Sequence, residues 1–292
     1  MKRIVKLALL NFALVSFFLM TSVSTASAYV PSSRTIVGRL VRNVGKGIFA
    51  IEQDVNFRTV GEGLTLRERW VVENGESMRL TVLSPQANAQ SVRLDVLYKD
   101  GKRLGPDMKG GFKSTAMPAE SIEPFFHARS SKGFLDAITR SGLVPSSFPV
   151  ARPAFNVNAK TQPPVTPEAF VRLGRVAGAV AYVFGEPTPA ESPKAMPGVW
   201  IEQDAFLLRK LRFPSEAEVT ADRHSAQAGL RFPRTRVVTW GSNTAEIRVV
   251  SVKSLSAAQA ASFLNQNSFQ ADLKNARLPT DEQVKEFYSR FR

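Results

Sequence analysis

Short segments of alternating apolar residues, joined by tight turns rather than by helices, constrain this chain most. RERWVVENGESMRLTVL (67–83) reads as two strands around Asn74-Gly75, a dipeptide suited to a two-residue hairpin turn. IFAIEQDVNF (48–57) puts Phe49, Ile51, Val55 and Phe57 on one face together with Gln53. VRLDVLY (92–98) does the same with Val92, Leu94, Val96 and Tyr98, ahead of an Asp100-Gly101 turn. TIVGRLVR (35–42) reads as a further strand, meeting 48–57 across the two glycines of NVGKG (43–47). Strands joined by such short turns pair antiparallel, because parallel neighbours need a long crossover.

The middle of the chain changes period. MPAESIEPFFHARSSKGFLDAITRSGLVP (117–145) reads as one or two short helices, with Pro118 at a first helical position, a stripe of Phe134, Leu135 and Ile138, and Gly142 and Pro145 as stops. Residues 145–167, rich in Pro, Ser, Asn and Ala, read as a loop. Strands resume at VAGAVAYVF (176–184), at a hairpin over 199–213 turning near Gln203-Asp204, and at TRVVTW (235–240) paired with TAEIRVVSV (244–252). Two helices follow. Ser256 and Gln259 form a capping box for the first, and Thr280 and Gln283 are positioned for a second. In the last helix Val284, Phe287, Tyr288 and Phe291 make a stripe that must lie on something apolar. The sum is an α+β chain with a hairpin-built antiparallel sheet and helices packed on one face.

The 67–83 hairpin has apolar residues on both faces. With Asn74-Gly75 as the whole turn, Val71 faces Met78 and Trp70 faces Arg79. Val71, Met78, Leu80 and Val82 then share one face, and Leu66, Trp70, Val72 and Leu83 share the other with Arg79 and Glu68. In that register Trp70 and Arg79 form a cation–π pair. A curled sheet too wide to fill its own interior leaves an apolar cavity, a common form of ligand site. Arg79 reads either as a cavity residue for a carboxylate, phosphate or ester oxygen, or as a surface residue paired with Glu68. Trp70 and Trp200 read either as cavity lining or as core.

Residues 1–28 have the form of a cleaved secretory signal: Lys2, Arg3 and Lys6, an apolar run from Ile4 to Met20, and Ala26-Ser27-Ala28 as the cleavage site. A retained anchor is the alternative. Residues 29–292 are then one exported domain, soluble in a periplasm, with a helical insert at about 117–144 and the Pro-rich loop at about 145–167. The chain has no cysteine, which excludes disulfides, a cysteine nucleophile and lipid modification of its own N-terminus. Its net charge of +14 suits anionic envelope lipid better than nucleic acid, given the export signal. The two histidines, His127 and His224, read as core or surface residues. No metal-spaced cluster, nucleophile elbow or phosphate loop appears, so no catalytic residue, metal or cofactor is expected.

RERWVVENGESMRLTV, LYKDGKRL, PGVWIEQDAFLLRKLRF and RVVTWGSNTAEIRVVSV, in this order, resemble the periplasmic lipoprotein-carrier family, the LolA/LolB-like or outer-membrane lipoprotein-sorting proteins. The matching blocks cover 64–104 and 199–252. The resemblance implies a curled, incompletely closed antiparallel β-barrel with helices as a lid, holding acyl chains of lipids or lipoproteins without covalent chemistry. Phe49, Ile51, Leu66, Trp70, Val72, Arg79 and Trp200 are the expected lining of its cavity. A structural or regulatory envelope protein on the same fold, docking on an inner- or outer-membrane protein, is the second expectation. Carriers of that family have Arg-Pro just after the strand tryptophan, and that arginine controls lid closure. Here the place reads VENG (72–75), so the role has no counterpart there.

Overall fold

Among the described residues thirteen strands form one antiparallel sheet, and the order of its strands constrains where the helices go. The computed structural model describes residues 30–60, 63–84, 92–107, 111–146, 148 and 170–292. The expected signal segment and most of the 145–167 loop lie outside them. Along the chain come α1 (Ser33–Val44), β1 (Ile48–Phe57), β2 (Leu64–Asn74), β3 (Ser77–Leu83), β4 (Arg93–Lys99), β5 (Lys102–Pro106) and β6 (Phe112–Ala116). Next are α2 (Glu123–Phe126), α3 (Ser131–Arg140), β7 (Val171–Val176), β8 (Ala179–Phe184), β9 (Gly198–Glu202), β10 (Leu208–Arg212), β11 (Glu218–Gln227), β12 (Leu230–Trp240) and β13 (Asn243–Leu255). The last helices are α4 (Ala257–Leu264), α5 (Gln266–Asp272) and α6 (Glu282–Arg290).

The sheet runs β6-β5-β4-β3-β2-β1-β13-β12-β11-β10-β9-β8-β7. Successive hairpins walk outward from the β1–β13 pair to both ends. The ends β6 and β7 do not pair, so the curled sheet stays open. Because β6 and β7 are opposite edges, the chain between them has to cross the sheet, and it carries α2 and α3 with it. β5 and β6 thus complete one edge of the sheet and β7 and β8 the other, with α2 and α3 between them in the chain.

Three local expectations are corrected. TIVGRLVR is not a strand but the body of α1. Its β-branched residues favour a strand, but Ile36, Val37, Leu40, Val41 and Val44 recur at helical spacing and are all buried, and Ser32 Oγ caps the start by accepting from the Thr35 N–H at 3.3 Å. Pro124, not Pro118, stands at a helix start. At α6 the N-cap is Asp281, whose Oδ1 accepts from the Val284 N–H at 3.1 Å, while Gln283 is drawn away to accept from the Thr59 hydroxyl at 2.6 Å. The capping box at Ser256 and Gln259 forms as expected.

The β2–β3 register differs from the two-residue reading by one position. Val72 pairs with Met78, Val71 with Arg79 and Trp70 with Leu80, and an irregularity separates these pairs from Asn74–Ser77. Asn74 Oδ1 accepts from the N–H groups of both Glu76 and Ser77, at 2.8 and 3.0 Å. Gly75 is needed for close approach: a Cβ there would stand 2.8 Å from the Pro124 carbonyl oxygen. A one-residue slip moves every side chain to the other face. Leu66, Glu68, Trp70 and Val72 thus share the concave face with Met78, Leu80 and Val82, and Arg79 goes to the convex side.

Both faces of the hairpin are covered by helices. On the concave side lie α6 and the segment carrying α2 and α3. On the convex side α4 and α5 lie over β2–β4, where Phe269 joins Leu97 and Leu104 in a small apolar cluster. Asp95 is buried there as well, with Arg79 Nη2 3.4 Å away and the Thr81 hydroxyl donating at 2.7 Å.

Candidate ligand-binding interior

The concave face over β1, β2 and β4 is apolar, interrupted by a charged cluster. Phe49, Ile51, Val55 and Phe57 of β1, Leu66, Trp70 and Val72 of β2, and Leu94, Val96 and Tyr98 of β4 are all buried there. Gln53, Glu68 and Arg236 sit on the same parity of three neighbouring regions, β1, β2 and β12. Burying them demands mutual pairing. Gln53 Nε2 donates to Glu68 Oε2 at 2.6 Å, and Arg236 Nη2 donates to Gln53 Oε1 at 2.5 Å. Trp70 Nε1 donates to Glu68 Oε2 at 2.9 Å, and the indole stacks on Tyr98 at 5.9 Å.

Two groups arrive from the covering segments. Glu123 of α2 accepts from Arg236 Nη1 at 2.7 Å and lies 3.3 Å from His127 Nε2. Arg292, just beyond α6, donates to both Glu68 oxygens at 2.9 and 3.2 Å and stands 3.1 Å from Glu123. Its guanidinium also lies over the rings of Trp70 and Phe287, at 5.6 and 4.8 Å. Burial opposes the charge on Glu123, but Arg236 and Arg292 outweigh it and hold the carboxyl well below its usual range. Burial likewise opposes the charge on Arg292, and Glu68 and Glu123 reverse the balance and raise its pKa. His127, buried and stacked on Phe232 at 4.9 Å, has its pKa pushed down by burial, against the pull of Glu123.

Helix α6 is the cover over this cluster. Phe287 meets Phe57 edge-on at 5.2 Å, and Phe291 meets Trp240 at 5.4 Å. Arg103 of β5 donates to the carbonyls of Tyr288 and Arg292 at 3.2 and 3.0 Å, the Ile122 N–H donates to Phe291 O at 3.2 Å, and Arg290 pairs with Glu120. Beside the helix a cleft of about 440 Å³ opens between Leu94, Arg103 and Pro106 on the sheet and Leu278, Pro279 and the α6 residues Lys285, Tyr288 and Ser289. The Tyr98 and Tyr288 hydroxyls are buried nearby, and burial drives both to titrate high, Tyr98 at about 12.

Five of the seven expected lining residues, Phe49, Ile51, Leu66, Trp70 and Val72, are buried together on the concave face. Arg79 and Trp200 do not join them. Arg79 lies on the convex side, donating to the Phe263 carbonyl at 3.3 Å with its guanidinium over Phe269 at 5.4 Å, so the expected Trp70–Arg79 pair does not form. Trp200 also faces outward, because Val199 and Ile201 on either side of it point inward; Lys210 Nζ lies 5.2 Å over its ring. The arginines that do reach the centre, Arg236 and Arg292, are absent from the sequence-based expectation. Among the described residues no group of three or more His, Asp or Glu is placed to hold a metal, and no helix is long and apolar enough to cross a membrane.

This curled, open sheet closed over by helices is the fold of a LolA superfamily protein from Nitrosomonas europaea, matched over 82% of this chain and 99% of that one at a TM-score of 0.51 and 9% identity. A putative outer membrane lipoprotein-sorting protein domain from Vibrio parahaemolyticus is less similar, with a TM-score of 0.46 and 12% identity over 82% of this chain and 97% of that one. A DUF1329 family protein from Desulfovibrio piger gives a TM-score of 0.48 and 10% identity over 82% and 98%. At such identities the likeness is one of fold, as expected from the resemblance. No family model matches the sequence, and no curated protein matches it either.

Proposed function

We propose that this chain binds the acyl chains of lipids or lipoproteins on its concave face and carries them without covalent chemistry, in the periplasm after loss of residues 1–28. The observation that carries this reading is the nature of the cover. The apolar concave face is closed not by the sheet but by α6, a nine-residue helix that lays Phe287, Tyr288 and Phe291 on it, is held at both ends by polar contacts, and has a cleft along its side. Displacing α6 would expose Phe57, Trp70, Tyr98 and Trp240 to acyl chains. Glu68 and Glu123 are each matched by arginine and shut off from solvent, which suits a latch and not proton transfer. Anionic envelope lipid, or a membrane protein that hands cargo over, is the partner that the basic surface fits; nucleic acid is not.

A second reading is a structural or regulatory envelope protein on the same fold. It is favoured by the filled centre, where Phe287, Phe291 and Arg292 occupy the place a cargo would take. Native mass spectrometry separates the two. The carrier reading expects lipid adducts on protein purified from a bacterial periplasm without detergent, or uptake from added vesicles or acylated peptide. A clean mass under both conditions supports the second reading.

A further inference from the structure

Arg129, between α2 and α3, differs from every other described arginine: its Nε, Nη1 and Nη2 are all shielded from solvent and all without a hydrogen-bond acceptor. Its guanidinium lies over the Phe49 ring at 5.7 Å, a contact that leaves the five in-plane N–H donors unused. No carboxylate offsets its burial, and desolvation alone lowers its pKa. A buried charge without a counter-charge is costly, and an arginine fork is shaped for a two-oxygen acceptor.

The side chain lines a cavity of about 250 Å³ between the β2–β3 turn and helices α2 and α3. Lys132 and Arg140 line it as well. Two acids line it too, Glu76 and Asp136, and Asp136 is already taken by Lys132 at 2.5 Å. Gly75 is packed against the Pro124 backbone at the cavity's edge, and Asn74 Oδ1 accepts from the Glu76 N–H in the turn. The residues on the wall leave a net positive charge.

We propose that this cavity binds a phosphate-type oxyanion, with Arg129 as its main ligand and Lys132 and Arg140 supporting it. A phosphate fits the volume, and a turn of the Arg129 side chain toward the cavity gives its shielded guanidinium the acceptors it lacks. The source is either a free anion or the phosphate of a lipid headgroup, and the site borders the concave face at Phe49.

The test uses the full chain and two variants, Arg129→Gln and Arg129→Met. Both remove an uncompensated buried charge, so both fold at least as well as the parent. Inorganic phosphate is expected to raise the melting temperature of the parent above the value in chloride of equal ionic strength, and calorimetric titration is expected to show saturable binding. Both effects are lost in the two variants. Vesicles of phosphatidylglycerol, compared with phosphatidylcholine, separate the sources: Arg129-dependent sedimentation with vesicles assigns the headgroup, and phosphate binding without it assigns the free anion. Equal shifts in phosphate and chloride, or phosphate binding retained in both variants, overturn the proposal.

Discussion

The Arg292 guanidinium lies in line with the Glu68 carboxylate, Nε 2.9 Å from Oε1 and Nη2 3.2 Å from Oε2, with both side chains fully buried. The pair ties the end of α6 to the middle of β2, next to Trp70. It makes the cover specific: the apolar stripe of α6 could slide along an apolar sheet, but the two ions fix where it stops.

Arg292→Met is therefore expected to destabilise the chain by about 3–5 kcal/mol, because it leaves Glu68 without its partner in a dry interior. Urea unfolding measures it. Adding Glu68→Leu is expected to recover much of the loss, and the double-mutant cycle gives the coupling energy.

Trp70→Phe keeps an aromatic ring to stack on Tyr98 but removes the donor to Glu68 Oε2. A loss of about 1–2 kcal/mol is expected from one deleted bond to a buried charge. Trp70→Ala, which also empties the site, is expected to lose about 3–5 kcal/mol. Thermal melts of the two variants against the parent check the difference.

Arg79→Ala tests the face assignment. Arg79 supports the Phe263 carbonyl and faces the buried Asp95 on the convex side. The variant is expected to lose about 3 kcal/mol and to become sensitive to proteolysis within α4–α5, with acyl-chain uptake unchanged at temperatures where it is folded. Trp200→Ala is expected to leave uptake unchanged as well.

Stability is expected to fall in acid, in two stages. Burial, with Arg209 and Arg231 nearby, presses His224 down to about 4. An unfolded-chain imidazole titrates near about 6.5, so between these values the unfolded state takes up a proton that the folded state refuses. Stability then drops as pH falls from about 6.5 to about 4, with a slope of up to about 1.4 kcal/mol per pH unit for this group. His127, also pushed down, adds to the same fall. Glu123, held low by its arginines despite burial, contributes stability that is present above the ordinary carboxylate pKa of about 4.3 and is lost as the pH falls below it. His224→Gln is expected to flatten the first stage by one proton's worth of slope in urea titrations at stepped pH.

Much of the sheet is legible in the sequence because period-two alternation and turn dipeptides are local signals. Asp100 and Gly101 both take positive φ, as their turn requires. The capping box at Ser256 and the stripe on α6 are equally local. What the sequence hides depends on contacts between distant segments. TIVGRLVR carries strand-forming residues, and only burial against α3 and β12 makes it a helix. The hairpin register turns on one irregular residue beside Asn74, and that residue decides whether Arg79 lies inside or outside.

The central cluster left a readable trace. Gln53, Glu68 and Arg236 each fall on the core parity of an apolar strand, where a polar residue needs a partner. Seeing that they partner one another requires the order β2-β1-β13-β12, and seeing Arg292 among them requires the docking of α6. Neither follows from spacing.

Hydrogen exchange across α6, with and without an acylated peptide, tests the central claim most directly. If cargo replaces the helix on the concave face, the amides of Val284 to Phe291 exchange faster in the loaded protein while those of β1 and β13 keep their protection. If the peptide binds and α6 stays as protected as in the free chain, the helix is part of the core and cargo is not carried beneath it.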